Sequence, residues 1–153
     1  MIPAWTPVLN GTVTSVFSQG PFQGTRTIPG GRAVLLCCGA GSVSDRIVSE
    51  VRLSPVPARR AVEFQPFLWS PLDPIVESAT PSGLLLVVFV ADDEEDGDDD
   101  RRTDTNGVVV VRSEAVEAGG VHRSIEALVA RRDPSAETGP RPSIGILRWQ
   151  EVR

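Results

Sequence analysis

Two apolar runs split by a block of acid constrain this chain more than any other feature. Gly83 to Ala91 reads GLLLVVFVA and Gly107 to Glu117 reads GVVVVRSEAVE, with DDEEDGDDDRRTDTN between them. β-Branched residues are stiff at χ1, fit a helix poorly and pack well on a pleated surface, so both runs predict strands. The first is apolar at successive positions, the pattern of a strand covered on both faces. The second starts the same way and then alternates. The pair predicts an antiparallel hairpin whose long tip is the acidic block.

The chain beyond this hairpin extends the sheet. Gly119-Gly120 is a turn signal leading to Val121–Arg131, VHRSIEALVAR. Ile125, Leu128 and Val129 in it have helical spacing, whereas Val121, Arg123, Ile125, Ala127 and Val129 share one face of a strand. The Gly-Gly return makes a tight antiparallel step easy and favours the strand. Ser143–Val152, SIGILRWQEV, closes the set, with Ile144, Ile146 and the aliphatic part of Arg148 expected on one face. The predicted fold is mainly β, built on an antiparallel sheet of about four strands. Upstream, Arg32–Cys38 reads as a short buried strand and Asp45–Leu53 as a strand or short helix. Arg60–Phe67 reads as an alternating strand stopped by Pro66 and Pro71. With 14 Gly and 13 Pro in 153 residues, turns are frequent and long helices are disfavoured. There is no internal repeat and no linker, so residues 1–153 read as a single domain.

The charge is local. Asp92 to Asp104 holds nine acids and two Arg, while the rest of the chain holds eleven acids and thirteen Arg. The basic residues are all Arg and fall in scattered pairs (Arg59-Arg60, Arg101-Arg102, Arg131-Arg132) rather than on one stripe, which argues against a nucleic-acid partner. The apolar run Leu84–Ala91 is far shorter than the roughly 18 residues of a membrane helix. The opening MIPAWTPVLNG has neither the basic nor the apolar region of a secretory signal.

Neighbouring carboxylates about 7 Å apart repel by roughly 0.6 kcal/mol per pair in water. The acidic tip is therefore either a hydrated loop or a cation site. Calcium takes six to eight oxygen ligands in flexible geometry. Asp98, Asp100 and Asp104 follow a D-x-D-x-x-x-D spacing and, with Asp92 and Asn106, are the candidate ligands. The EF-hand spacing is absent: aligning Asn106-Gly107 on its turn puts Arg102 and Ser113 where Asp and Glu are required.

Other chemistry has less to stand on. Cys37-Cys38 lack zinc-ligand spacing and read as two buried small residues on opposite faces of a strand, or as a vicinal disulfide in an oxidising compartment. Gly39, Gly41 and Ser42 read as a turn: a dinucleotide fingerprint needs a third Gly and a following helix, and a nucleophile elbow needs a Gly after Ser-x. His122 is the sole histidine and reads as a surface residue beside a turn. Trp5, Trp69 and Trp149 are expected as core or interface anchors. Without a nucleophile motif, no enzyme activity and no catalytic residue are expected.

Several stretches taken together resemble the globular region of type IV minor pilins of the PilX kind. They are DTNG entering a strand that ends SEAVE, the Gly-Gly return, RSIEALVAR and the terminal LRWQEV, with IPGGRAVLLCCG and FQPFLWSPL upstream. The resemblance implies a pilin-like globular head, with strand rather than helix at Val121–Arg131. It implies a non-catalytic subunit that primes, caps or decorates a filament of other pilin subunits. It also implies an extracellular or periplasmic location, with the inner membrane as the station before assembly. Pilins carry a long apolar N-terminal helix, and counting one would make the class α+β. Met1–Trp5 shows no such helix and no leader cleavage site. The expectation is a head whose helix was removed or is supplied by a separate membrane-embedded polypeptide or anchor. The alternative expectation is a calcium-dependent extracellular adhesin or binding module working through the acidic tip.

Overall fold

The computed structural model describes residues 5–28, 33–47, 62–77, 82–117, 122–137 and 139–152. The elements are α1 (Thr6–Leu9), β1 (Thr25–Thr27), β2 (Ala33–Leu35), a helical run over 43–47 (α2), β3 (Gln65–Pro71), α3 (Asp73–Val76), β4 (Leu85–Asp92), β5 (Val108–Val116), β6 (His122–Arg132) and β7 (Ser143–Val152). β1 and β2 pair as a small antiparallel sheet, and the main sheet is antiparallel in the order β3-β4-β5-β6-β7. The protein is mainly β. The main sheet has five strands rather than four, because the strand expected over Arg60–Phe67 runs on to Pro71 and pairs with β4. Proline cannot donate to a ladder, so it is confined to edges and bulges. β3 is an edge strand, and its register shifts between Pro66 and Leu68.

β4 carries apolar side chains on both faces, as its unbroken apolar run requires. One face presents Leu85, Val87 and Phe89 to a core cluster with Trp69, Val116, and Ile28, Val34, Leu36, Val43 and Ile47 from the N-terminal half. Phe22 packs edge-on against both Trp69 and Phe89, with centroids 5.1 and 5.6 Å apart. The other face presents Val90, which joins Val109, Val129 and the α1 residues Val8 and Leu9 in a second cluster bordered by Trp5, Phe67, Val111 and Ala127. The sheet thus divides two cores.

Further from the hairpin the expectations hold less well. β2 ends at Leu35, and Cys37 and Cys38 follow it in a bend, half-exposed and exposed, joined to each other by a disulfide. The reading as two buried strand residues is therefore corrected. The Leu36 N–H closes on the Gly24 carbonyl, after which the chain turns, with Cys38 at φ 72°. Ser42 is fully buried and its hydroxyl accepts the Asp45 N–H, which caps the helical run over 43–47. A helix does follow Gly41, contrary to the turn reading. Residues 48–53 and 60–61, and the Gly-Gly return, lie outside the described residues. Among the described residues no helix is long and apolar enough to cross a membrane.

One buried ion pair is set into the sheet. Arg112 and Glu114 lie on the Val87–Phe89 face of β5 and are almost wholly buried. Arg112 Nε and Nη2 each stand 3.0 Å from Glu114 Oε1, and Nη1 reaches Glu126 Oε2 on β6 at 3.4 Å. Losing either member removes a charge that balances the other inside the core. Glu114→Ala should lower unfolding free energy by about 3–5 kcal/mol. The apolar pair Arg112→Met with Glu114→Leu should cost clearly less. Urea unfolding of the three proteins tests this, and equal losses in both variants would refute it.

Candidate functional site

The acidic tip joins β4 to β5 and is built largely from its own side chains. Asp, Asn and Ser side chains bond backbone N–H groups two or three residues on, which folds a polar segment without a ladder. Asp93 Oδ2 accepts the Glu95 N–H, Asp98 Oδ1 the Asp100 N–H, and Asp100 Oδ1 the Arg102 N–H. Asp96 takes both the N–H and the hydroxyl of Thr105, which ties the two limbs together. Asn106 Nδ2 donates to Asp93 Oδ1 at 2.9 Å, and Asn106 Oδ1 accepts the Val108 N–H at 2.8 Å as β5 begins.

The C-terminal limb is held from α1. The Asp104 N–H donates to Thr6 Oγ1 at 3.1 Å, and Trp5 Nε1 donates to the Gly107 carbonyl at 3.2 Å. Asp104 itself is fully buried, and its Oδ1 accepts the Gly107 N–H at 2.7 Å. Gly107 sits at φ 78°, a conformation that costs glycine little and other residues more. At the exposed end, Arg102 pairs with Glu63 at 3.0 Å.

Of the five residues expected to gather round a cation, the structure brings together two. Asp92 and Asp98 lie with Asp96, each offering a carboxylate oxygen within 4.8 Å of the others. Asp100 is exposed and serves the Arg102 N–H and the Thr103 hydroxyl. Asp104 is turned inward to the Gly107 N–H, and Asn106 braces Asp93. Asp96 was missed by the sequence reading, which followed the linear Asp98–Asp100–Asp104 spacing. The turn over Glu94-Glu95, started by the Asp93 side chain, folds Asp96 back on Asp92. A D-x-x-x-D-x-D reading from Asp92 would have found it.

Asp92 is the perturbed member. It ends β4 on the Val90 face, opposite Val109. Burial first, and then the charges of Asp96, Asp93 and Asp98, push its carboxyl up from 3.8 to about 7. Its Oδ1 is buried with no hydrogen-bond partner among the described residues. Burial also raises Asp93, against the opposing hydrogen bond from Asn106. Asp100 moves the other way, lowered by the Arg102 N–H and the Thr103 hydroxyl.

The tryptophans divide. Trp69 is buried, with Nε1 donating to the Gln19 and Gly20 carbonyls, and Trp5 packs under the tip. Trp149 stands on the far edge of the sheet and is 65% exposed. Leu128 pairs with Arg148 and Val129 with Ile146, so Leu147 is an extra residue. That bulge puts Trp149, and not Arg148, on the face of Ile144 and Ile146. All three are exposed on β7, beside Ile125 of β6. His122 opens β6, and its side chain lies outside the described residues.

Compared with protein-family models, curated proteins and solved structures, the chain shows no match.

The shift at Asp92 has a definite sign. The folded protein keeps this proton up to about pH 7, whereas the unfolded chain releases it near 3.8. Asp92 therefore opposes folding increasingly as pH rises through that window. In metal-free buffer, Asp92→Asn should raise Tm more at pH 8 than at pH 5. An equal offset at both pH values would refute a raised carboxyl.

Proposed function

We propose that this chain is a structural, non-catalytic subunit of a bacterial type IV pilus or pseudopilus, acting in assembly, in priming or at the tip. The observation that carries this reading is the exposed apolar row Ile144, Ile146 and Trp149 on β7. A row of that kind, continuous with a core cluster, marks a contact surface. The resemblance to PilX-type minor pilins supports the reading, since its most distinctive segments supply β5, β6 and β7. The Cys37–Cys38 disulfide supports an extracellular or periplasmic location, because such bonds persist in oxidising compartments. The partners in this reading are other pilin subunits and a membrane-embedded helix or anchor. Deleting the gene in its own bacterium should reduce surface pili. Wild-type protein should restore them and Trp149→Lys should not. Normal piliation without the gene would sink the reading.

A calcium-dependent extracellular adhesin or binding module is the second reading, favoured by the juxtaposition of Asp92, Asp96 and Asp98 and by Asp92 Oδ1, which has no hydrogen-bond partner among the described residues. Calcium at a hundredfold excess over Kd would add about 2.7 kcal/mol of stability. It must displace the Asp92 proton, so the gain should be larger at pH 8 than at pH 5. Thermal melts with calcium, magnesium and EDTA test this. Asp98→Asn should abolish the calcium shift and Asp100→Asn should preserve it. An equal shift with magnesium, or none, would remove this reading.

A further inference from the structure

The two edges of the main sheet are finished differently. β3 carries Pro66, Pro71 and a bulge, and the segment before β1 lies along it: the Ser15 and Gln19 N–H groups donate to the Phe67 and Trp69 carbonyls. β7, the other edge, has ten residues, contains neither Pro nor Lys, and has no partner strand on its outer side among the described residues. It carries the Leu147 bulge and two charges, but a ten-residue edge with no proline and no segment laid along it among the described residues is still a template for another strand. Ile144 and Ile146 are each 66% exposed along it.

We propose that β7 pairs antiparallel with β7 of a second copy of this chain, joining two five-stranded sheets into one. The inference rests on the reading of the β7 face as a contact surface and names its partner. The strand is self-complementary in one register. Setting Leu147 opposite Arg148 of the second copy puts Ile146 opposite Trp149, Ile144 opposite Glu151, Gly145 opposite Gln150 and Ser143 opposite Val152. The Leu147 bulge offsets the alternation once in each strand, so the two members of each of these four pairs point to the same face, as cross-strand partners must. Within one copy Val129 pairs with Ile146 and Ala127 with Trp149. The register therefore runs an apolar row from Val129 through Ile146 to Trp149 and Ala127 of the second copy. Arg131, beside Ile144, falls in the row of the second copy's Glu151. The charges on β7 are Arg148 and Glu151, so the strand is neutral and pairing is not opposed by net charge. The two Arg148 side chains meet near the two-fold axis on the opposite face. Salt should screen that contact and tighten the pair.

Sedimentation and light scattering on the intact protein, across micromolar to near-millimolar concentration, test the proposal. The wild-type chain should pass from monomer to dimer. Ile146→Lys should weaken dimerisation at least about tenfold while leaving the far-UV spectrum and Tm unchanged, since the side chain is exposed. The double variant Ile146→Cys, Trp149→Cys should oxidise to a dimer whose linked peptides join position 146 to position 149. A monomer at every concentration, an undiminished Ile146→Lys dimer, or linkage in another register would overturn the proposal. A monomeric wild type combined with lost piliation in Trp149→Lys would overturn self-pairing alone. Normal piliation without the gene would remove the pilus reading and leave any measured dimer standing.

Discussion

Everything in this fold is hung on a strand that must be covered twice. β4 presents Leu85, Val87 and Phe89 to one side and Val90 to the other, and all four are buried. A half-buried strand needs one layer of cover, whereas this one needs two. The N-terminal half meets that demand by splitting. Thr6–Leu9 lies over the Val90 face, and β1, β2 and the helical run over 43–47 lie over the Phe89 face. Side-chain direction repeats every two residues, so a one-residue slip against β5 would exchange the two sets of buried side chains. The Arg112–Glu114 pair makes the two faces still less interchangeable, because it fits only the side where Glu126 of β6 can meet it.

The acidic tip follows a different economy. Its carboxylates are spent mainly on backbone N–H groups, so much of the charge that opposes compaction also supplies the acceptors a ladder-free loop needs. Asp96 and Asp104 are the clearest cases: both are buried, Asp96 bonding Thr105 across the two limbs and Asp104 bonding Gly107 within the second. Asp92 stands apart in its raised carboxyl; its Oδ1, like Asp104 Oδ2, is buried with no hydrogen-bond partner among the described residues. The proton it keeps relieves the repulsion that burial and the neighbouring carboxylates of Asp96, Asp93 and Asp98 impose on it.

The strands of the C-terminal half were legible because their signals are local. Val-rich runs need no tertiary context, and the expected Ser143–Val152 matches β7 end to end. β3 was expected to end at Phe67 and runs on to Pro71, because a proline's meaning depends on whether its strand is central or an edge. That is a property of the assembled sheet. The Leu147 bulge left no mark in the residue types, so Arg148 was placed on the wrong face. At the tip, linear spacing selected Asp100 and Asp104, while the fold selected Asp96. An Asx-stabilised turn changes which acids are neighbours.

The position of the acid block also matters before the fold exists. Leu84–Ala91 and Val108–Val111 are the kind of uncharged, β-prone, proline-free segments that assemble into cross-β aggregates when exposed on an unfolded chain. Nine carboxylates between them act as gatekeepers. On a nascent or heat-unfolded chain they repel the same block on a neighbouring molecule, and so keep one chain's strands from stacking in register on another's. The loop that caps the finished hairpin thus also biases its two strands to find each other rather than a stranger.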